Sequence, residues 1–388
     1  MVCADTTMYF RRVVGFHTVS AASLQDTLAN FGGLKMTVAS DPRLDPRLAR
    51  LMASMPVDAS IPMDISESAS YLDALEWVSA MEDMMALQNE SAVAAMPVFS
   101  NLASRKETIE GVDGNAIDLY IEDPHISTAS ENCDPRPCIV HMHGGGMAFT
   151  TAQFAGAMRW RKSMACQGLL VISVEFRNSG GVMGNHPFPA GLNDCACAVK
   201  WVHAQREKLN ISSLIVSGES GGGNLCLATA IKAKMEGWVH AIDGVFAIAP
   251  MIFGYYDSVP TELGSWRENE GYQGTLGMTR AMSRVYDPEG EHQRNPQAWP
   301  YWAGTEELRG LPPHIVTNYE LDLIRDEGAS FVRRLQAAEV PAISRTITGA
   351  IHVVELAMPD LVPELVDETL ASIAGFARRA AEAKRQTA

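Results

Sequence analysis

Leu214-Ile-Val-Ser-Gly-Glu-Ser-Gly-Gly-Gly-Asn-Leu225 is the stretch on which the reading of the whole chain turns. A β-branched strand runs straight into Gly218-Glu219-Ser220-Gly221-Gly222, and a helical stretch follows. Small residues on both sides of a serine permit a tight strand-to-helix turn that lifts its hydroxyl out of the sheet, the geometry of a nucleophile elbow. The helix starts just behind Ser220, so its backbone N–H groups and positive dipole end face any oxyanion forming there. A phosphate cradle is the rival reading of so much glycine. It fails because no Lys-Ser/Thr follows the glycines and no G-x-G-x-x-G fingerprint opens the first βα unit.

A second glycine-rich element, His141-Met142-His143-Gly144-Gly145-Gly146-Met147, follows directly on an apolar run at 138–142. Three consecutive glycines let the backbone turn its N–H groups into a cavity without interference from side chains. Two amides from this loop and that of Gly221 make three donors for an oxyanion hole. A tight surface turn is the alternative. The His141/His143 pair also invites a metal reading, but no third histidine or carboxylate stands nearby in sequence, and no metal or other cofactor is expected.

A serine nucleophile needs a base, and the base an orienting carboxylate. Of ten histidines, only His240, His292, His314 and His352 follow Ser220. His352 comes after the last strand-like run and before the terminal helix, which makes it the natural base. The run at 314–319 leads into Glu320-Leu321-Asp322-Leu323-Ile324-Arg325-Asp326-Glu327-Gly328. Asp322 is the expected acid because it comes soon after the strand ends. Asp326 suits the start of the next helix, where a carboxylate favours the positive dipole end, and Glu320 is the weaker alternative.

From Arg105 onward strands and helices alternate. Segments 106–110 and 115–122 flank an Asp113-Gly114 turn and read as an antiparallel pair. Apolar runs follow at 138–142, 169–176, 213–217, 244–249 and 314–319, with helical stretches at 192–206, 224–235 and 327–338. The pattern predicts an α/β fold with a mostly parallel sheet covered on both faces, its chemistry at the carboxyl ends of the strands. Residues 252–302 break the rhythm and are rich in aromatics; they read either as an insertion walling a pocket or as an ordinary packing element. Ahead of residue 105 the texture is helical and Met-rich. Leu72, Leu75, Val78, Met81, Met84, Met85 and Leu87 suit an amphipathic helix over 69–89, either a core helix or a lid. The expected division is therefore a helical cap or lid segment at 1–104 and a catalytic domain at 105–388, with 252–302 available to join the cap.

The 388 residues carry 31 basic and 46 acidic side chains, a net charge of −15. That sign repels phosphate backbones and anionic lipid, so no nucleic-acid partner is expected. Hydrophobic residues make up 47% and charged residues 20%, ordinary globular usage that excludes disorder of the whole chain. No apolar run has the length of a signal peptide or a membrane span, and the expectation is a cytoplasmic protein. The seven cysteines are an odd set without zinc-site spacing and read as mostly reduced thiols.

The set His143-Gly-Gly-Gly-Met, Gly218-Glu-Ser-Gly-Gly, Asp322-Leu-Ile-Arg-Asp-Glu-Gly and His352 resembles the hormone-sensitive-lipase-like branch of the α/β-hydrolases. The likeness runs over roughly residues 105–380. It takes in Phe176-Arg177-Asn178, His186-Pro-Phe-Pro189, Asp194 and Trp299-Pro-Tyr301. It implies an α/β-hydrolase with a helical cap and a serine carboxylesterase activity on small or medium apolar esters, with a non-catalytic small-molecule binding protein or a lyase on the same fold as the alternative. It further implies Ser220 as nucleophile, His352 as base then acid, Asp322 as its partner, and Gly145, Gly146 and Gly221 as oxyanion donors. His143, Met147, Phe149 and Glu219 are expected along the substrate pocket, and a homodimer is compatible with the branch. Three positions depart from its usual pattern. Glu219 and Gly221 stand where Asp and Ala are common, Leu323 replaces a Pro, and Val353 replaces a Gly or Ala after the histidine.

Overall fold

The computed structural model describes residues 38–54, 65–124, 134–272 and 274–387. Cys3, Cys133 and residues 1–37 of the expected cap lie outside the described residues. At the Asp113-Gly114 turn, Gly114 takes a positive φ of 74° and the chain reverses. Strand β1 (Ala103–Glu110) thereby pairs antiparallel with β2 (Ala116–Asp123). β2 pairs antiparallel with β4 (Leu170–Glu175), and every remaining pairing is parallel. With β3 (Arg136–Met142), β5 (Ile211–Glu219), β6 (Gly244–Ile248), β7 (His314–Tyr319) and β8 (Ala342–Ile347), the sheet runs β1-β2-β4-β3-β5-β6-β7-β8.

The alternation of side chains along these strands divides the core into two layers. Cys138, Val140 and Met142, Leu170, Ile172 and Val174, and Leu214 and Val216 face one way. They pack under helices α2 (Tyr71–Ala94), α4 (Ala190–Ala204), α5 (Gly221–Met235) and α7 (Arg325–Ala337). Ile139, Val171, Ile215, Phe246 and Ile248 face the other way. Helices α1 (Pro46–Ser54), α3 (Ala155–Ala165) and α8 (Pro363–Thr387) cover them. Helix α5 is buried along nearly its whole length, as its run of Gly, Ala, Leu and Ile requires. β8 is a strand that no apolar run announces. It is an edge strand with no fully buried residue: Ile343, Ser344 and Thr346 are exposed, and Ala342, Arg345 and Ile347 are half-buried.

Helix α2 begins two residues after the expected 69 and runs five beyond 89. Ser70 caps it reciprocally: Asp73 N–H donates to Ser70 Oγ at 3.1 Å and Ser70 N–H to Asp73 Oδ2 at 2.6 Å. Its buried side is Ala74, Trp77, Val78 and Met81, whereas Leu72 and Leu87, assigned to the apolar face, are exposed. Helix α6 (Leu276–Tyr286), from the aromatic-rich segment, packs against α2. Arg284 donates to the Ala69 carbonyl, and Arg280 pairs with Glu67 at 3.0 Å. The aromatics around it form one cluster in which Phe253 meets Tyr301 edge-on, ring centroids 5.1 Å apart.

Candidate active site

Four loops leave the carboxyl ends of parallel strands in one half of the sheet and converge. The glycine loop follows β3, Ser220 follows β5, Asp322 follows β7 and His352 follows β8. Ser220 has φ 54° and ψ −117°, a strained conformation for a residue with a Cβ. Three hydrogen bonds hold it: its N–H donates to Ile248 O at 2.8 Å, and its carbonyl accepts from Asn224 N at 3.0 Å and Met251 N at 3.2 Å. The flanking glycines answer a steric demand. A Cβ on Gly222 would lie 2.5 Å from the His143 carbonyl oxygen and 2.6 Å from the Met142 carbonyl carbon.

His352 Nδ1 donates to Asp322 Oδ2 at 2.7 Å, which leaves Nε2 free to accept a proton. Burial is the largest influence on this imidazole and lowers its pKa. The Asp322 charge and hydrogen bond together outweigh it, so the pKa lies above its ordinary 6.5. Asp322 is buried, and Ile324 N–H donates to its other oxygen at 3.1 Å. Asp326 lies in the first turn of α7 and accepts from Ser265 N at 2.8 Å, away from the histidine. Glu320 accepts from Gly349 N at 2.8 Å and so ties the acid loop to the base loop. His314 is fully buried, its pKa lowered by burial to about 4.

In the glycine loop, Gly144 N–H donates to Glu219 Oε1 at 2.7 Å. Among the described residues the amides of Gly145, Gly146 and Gly221 donate to no protein acceptor, which leaves them available to a ligand. Gly145, Gly146 and Met147 all have positive φ, of 108°, 61° and 59°. Gly221 packs so closely on this loop that a Cβ there would lie 2.6 Å from Gly146 N. None of the four residues expected along the pocket lines the cavity that Ser220 and His352 share. His143 stacks on Phe176 with ring centroids 4.3 Å apart, Met147 and Phe149 are buried, and Glu219 is engaged with Gly144 and stands 3.0 Å from His141 Nε2.

Ser220, Asp322 and His352 line one cavity, which Met251, Met278, Met282 and Leu323 also wall, with a free volume of about 40 Å³. Met278 and Met282 come from α6, so the aromatic-rich segment does wall a pocket. Two of the buried carboxylates bear on the site without any motif to mark them. Glu355 lies three residues beyond His352, its pKa raised by burial, and accepts from Tyr319 Oη at 2.5 Å. Glu82 lies on α2 and reaches the glycine loop. Glu355 is an isolated acid within an apolar stretch, whereas Glu82 stands beside Asp83 and nothing in the pattern sets it apart.

Residues 139–356 match the family model described as the α/β-hydrolase fold. Among solved structures, a brefeldin A esterase described as a bacterial homologue of human hormone-sensitive lipase superposes with a TM-score of 0.81. It is 38% identical, over 89% of this chain and 96% of that one. An arylesterase of Saccharolobus solfataricus is 27% identical over 217 residues, 55% of this chain and 67% of its own length. A gibberellin receptor of Arabidopsis thaliana is also 27% identical, over 208 residues, 52% of this chain and 55% of its own length. Among the described residues no helix is long and apolar enough to cross a membrane. The chain belongs to the α/β-hydrolase family, in its hormone-sensitive-lipase-like branch, as a carboxylic-ester hydrolase.

Proposed function

We propose that Ser220 is the nucleophile of a serine carboxylesterase for small apolar esters, with His352 as base and then acid, Asp322 as its partner, and Gly145, Gly146 and Gly221 as oxyanion donors. The observation that carries this reading is the 2.7 Å His352–Asp322 hydrogen bond on the cavity that Ser220 also lines. Asp322 holds the proton on Nδ1, so Nε2 takes the Ser220 proton as Oγ attacks the ester carbonyl. The developing O⁻ is met by amides that have no other acceptor, already aimed by the elbow and the glycine loop. Alcohol leaves with the proton, and water repeats the sequence on the acyl-enzyme.

Apolar walls and a volume of about 40 Å³ favour acetyl- or propionyl-sized groups, since a water-sized group takes roughly 10–15 Å³ on this measure. We assign α2 and α6 to the cap over this pocket. Among the described residues five unpaired thiols, Cys138, Cys166, Cys195, Cys197 and Cys226, support a cytoplasmic setting. The test is a series of p-nitrophenyl esters from acetate to decanoate assayed with wild type and Ser220→Ala. Turnover falling with chain length and vanishing in the variant is the expected result. Binding of esters without turnover by the wild type would place the protein with receptor-type relatives and overturn the proposal.

A further inference from the structure

We propose that Glu82, on helix α2, is a positioning residue for the oxyanion loop, so that α2 is a fixed part of the catalytic machinery and not a lid that leaves. Glu82 is buried, and both of its oxygens accept backbone N–H groups of the catalytic domain: Thr150 at 2.8 Å and Val182 at 2.6 Å. Thr150 has a positive φ of 69° and closes the loop that starts at His143. Its hydroxyl donates to the Gly144 carbonyl at 2.9 Å and stands 3.2 Å from His143 Nδ1. Gly144 O belongs to the peptide whose N–H is that of Gly145. The path from the Glu82 carboxylate to an oxyanion donor is thus Thr150 N–H, Thr150 Oγ1, Gly144 O and the Gly145 amide.

Other parts of the chain hold the same loop, and on that path itself His143 Nδ1 stands 2.8 Å from the Gly144 carbonyl oxygen. Asn178 Nδ2 donates to Thr150 O at 2.6 Å, Ser179 N–H and Oγ both donate to Met147 O at 2.9 Å, and Glu219 holds the Gly144 amide. Each grips a different peptide of a loop with four left-handed residues, Gly145, Gly146, Met147 and Thr150. A backbone held in sparsely populated conformations keeps its shape only while its surroundings over-determine it. A buried carboxylate is also costly unless donors compensate it, so two short N–H bonds make Glu82 a firm anchor. Val182 supplies the second grip through the loop after β4, where Gly181 gives Glu82 room that a Cβ would take.

The inference rests on the esterase reading, which wild-type turnover and its loss in Ser220→Ala test separately in the same assay. Glu82→Gln keeps the size of the side chain but sets an NH₂ against one of the two donor amides. Four quantities are read with p-nitrophenyl acetate: kcat, KM, the Ki of a trifluoromethyl ketone that Ser220 converts to an oxyanion, and the Ki of the matching alcohol, which forms none. Glu82→Gln is expected to lower kcat about 10- to 100-fold and weaken the ketone by the same factor, with KM and the alcohol Ki unchanged within about twofold. Asn89→Ala is the control. Asn89 also fastens α2 to the body of the protein, accepting from Ala155 N at 2.7 Å, but touches no residue of the glycine loop. It should leave all four values unchanged. Wild-type kcat and ketone affinity in Glu82→Gln, a change in KM alone, loss of its fold, or the same losses in Asn89→Ala would each overturn the proposal.

Discussion

Replacing Gly222 by alanine tests how tightly the elbow is set against the oxyanion loop. The added Cβ would stand 2.5 Å from the His143 carbonyl oxygen, and closer to that of Met142, where real Cβ atoms keep at least 3.0 Å. All these neighbours are backbone, so no side chain can swing aside, and the Met142 oxygen, the nearest of them, sets the retreat of the end of β3 at about 1 Å. Overpacking of this kind costs about 1–3 kcal/mol. With an unfolding entropy of about 2.1 cal/mol/K per residue over about 350 residues, each kcal/mol lowers Tm by about 1.4 °C, so the expected drop is about 1–4 °C. The retreating segment carries Gly144, Gly145 and Gly146, and displacements approaching 1 Å cost about 100-fold in rate, so kcat should fall roughly 10- to 100-fold. Gly237→Ala is the comparison, at φ 80° with nothing within 4 Å of the new methyl: it carries backbone strain without a clash and should leave kcat untouched. Tm from scanning fluorimetry and kcat on p-nitrophenyl acetate decide it. Wild-type kcat in Gly222→Ala would refute the steric argument.

The acid limb of kcat/KM should lie above pH 6.5, because His352 must be neutral to accept a proton and the Asp322 carboxylate raises its pKa. Asp322→Asn leaves burial as the main influence, so the limb should move below pH 6.5 while kcat falls ~10,000-fold; an unmoved limb contradicts the pairing. Met282→Ala enlarges the cavity beside Gly146 and should raise kcat/KM for butyrate relative to acetate about tenfold, and an unchanged chain-length profile counts against Met282 as a wall. Glu327 is fully buried and its pKa is pushed up by burial to about 8 from an ordinary 4.5, despite N–H donors from Ile252 and Phe253. Folded protein holds that proton where the unfolded chain has lost it, so stability is full below pH 4.5 and declines as the pH rises to about 8. Glu327→Gln should flatten Tm against pH across that window, and an unchanged slope refutes the assignment.

The central strands were legible because each is an apolar run buried on both faces, and the loops bearing Ser220, Asp322 and His352 could be ordered from those runs. Strand β8 was not, since an edge strand can hold Ser344 and Thr346 exposed and a half-buried Arg345 over Phe246, with no apolar signal. Periodicity placed α2 but not its rotation: Trp77, outside the assigned stripe, is buried and Leu87 is not. Glu82 and Glu355 were hidden for a related reason. A carboxylate on a helix reads as surface charge, and only the fold reveals which one meets two backbone amides or a tyrosine hydroxyl. The backs of Gly221 and Gly222 are also products of long-range packing, because what they must avoid comes from β3 and its loop, some 75 residues earlier.

The central claim is that acyl transfer passes through Ser220 Oγ. The direct measurement is peptide mass spectrometry after reaction with a fluorophosphonate. Stoichiometric labelling confined to Ser220, with matching loss of esterase activity and no labelling of Ser220→Ala, is the predicted result. Label on another residue, or ester turnover that persists in fully labelled protein, would contradict it.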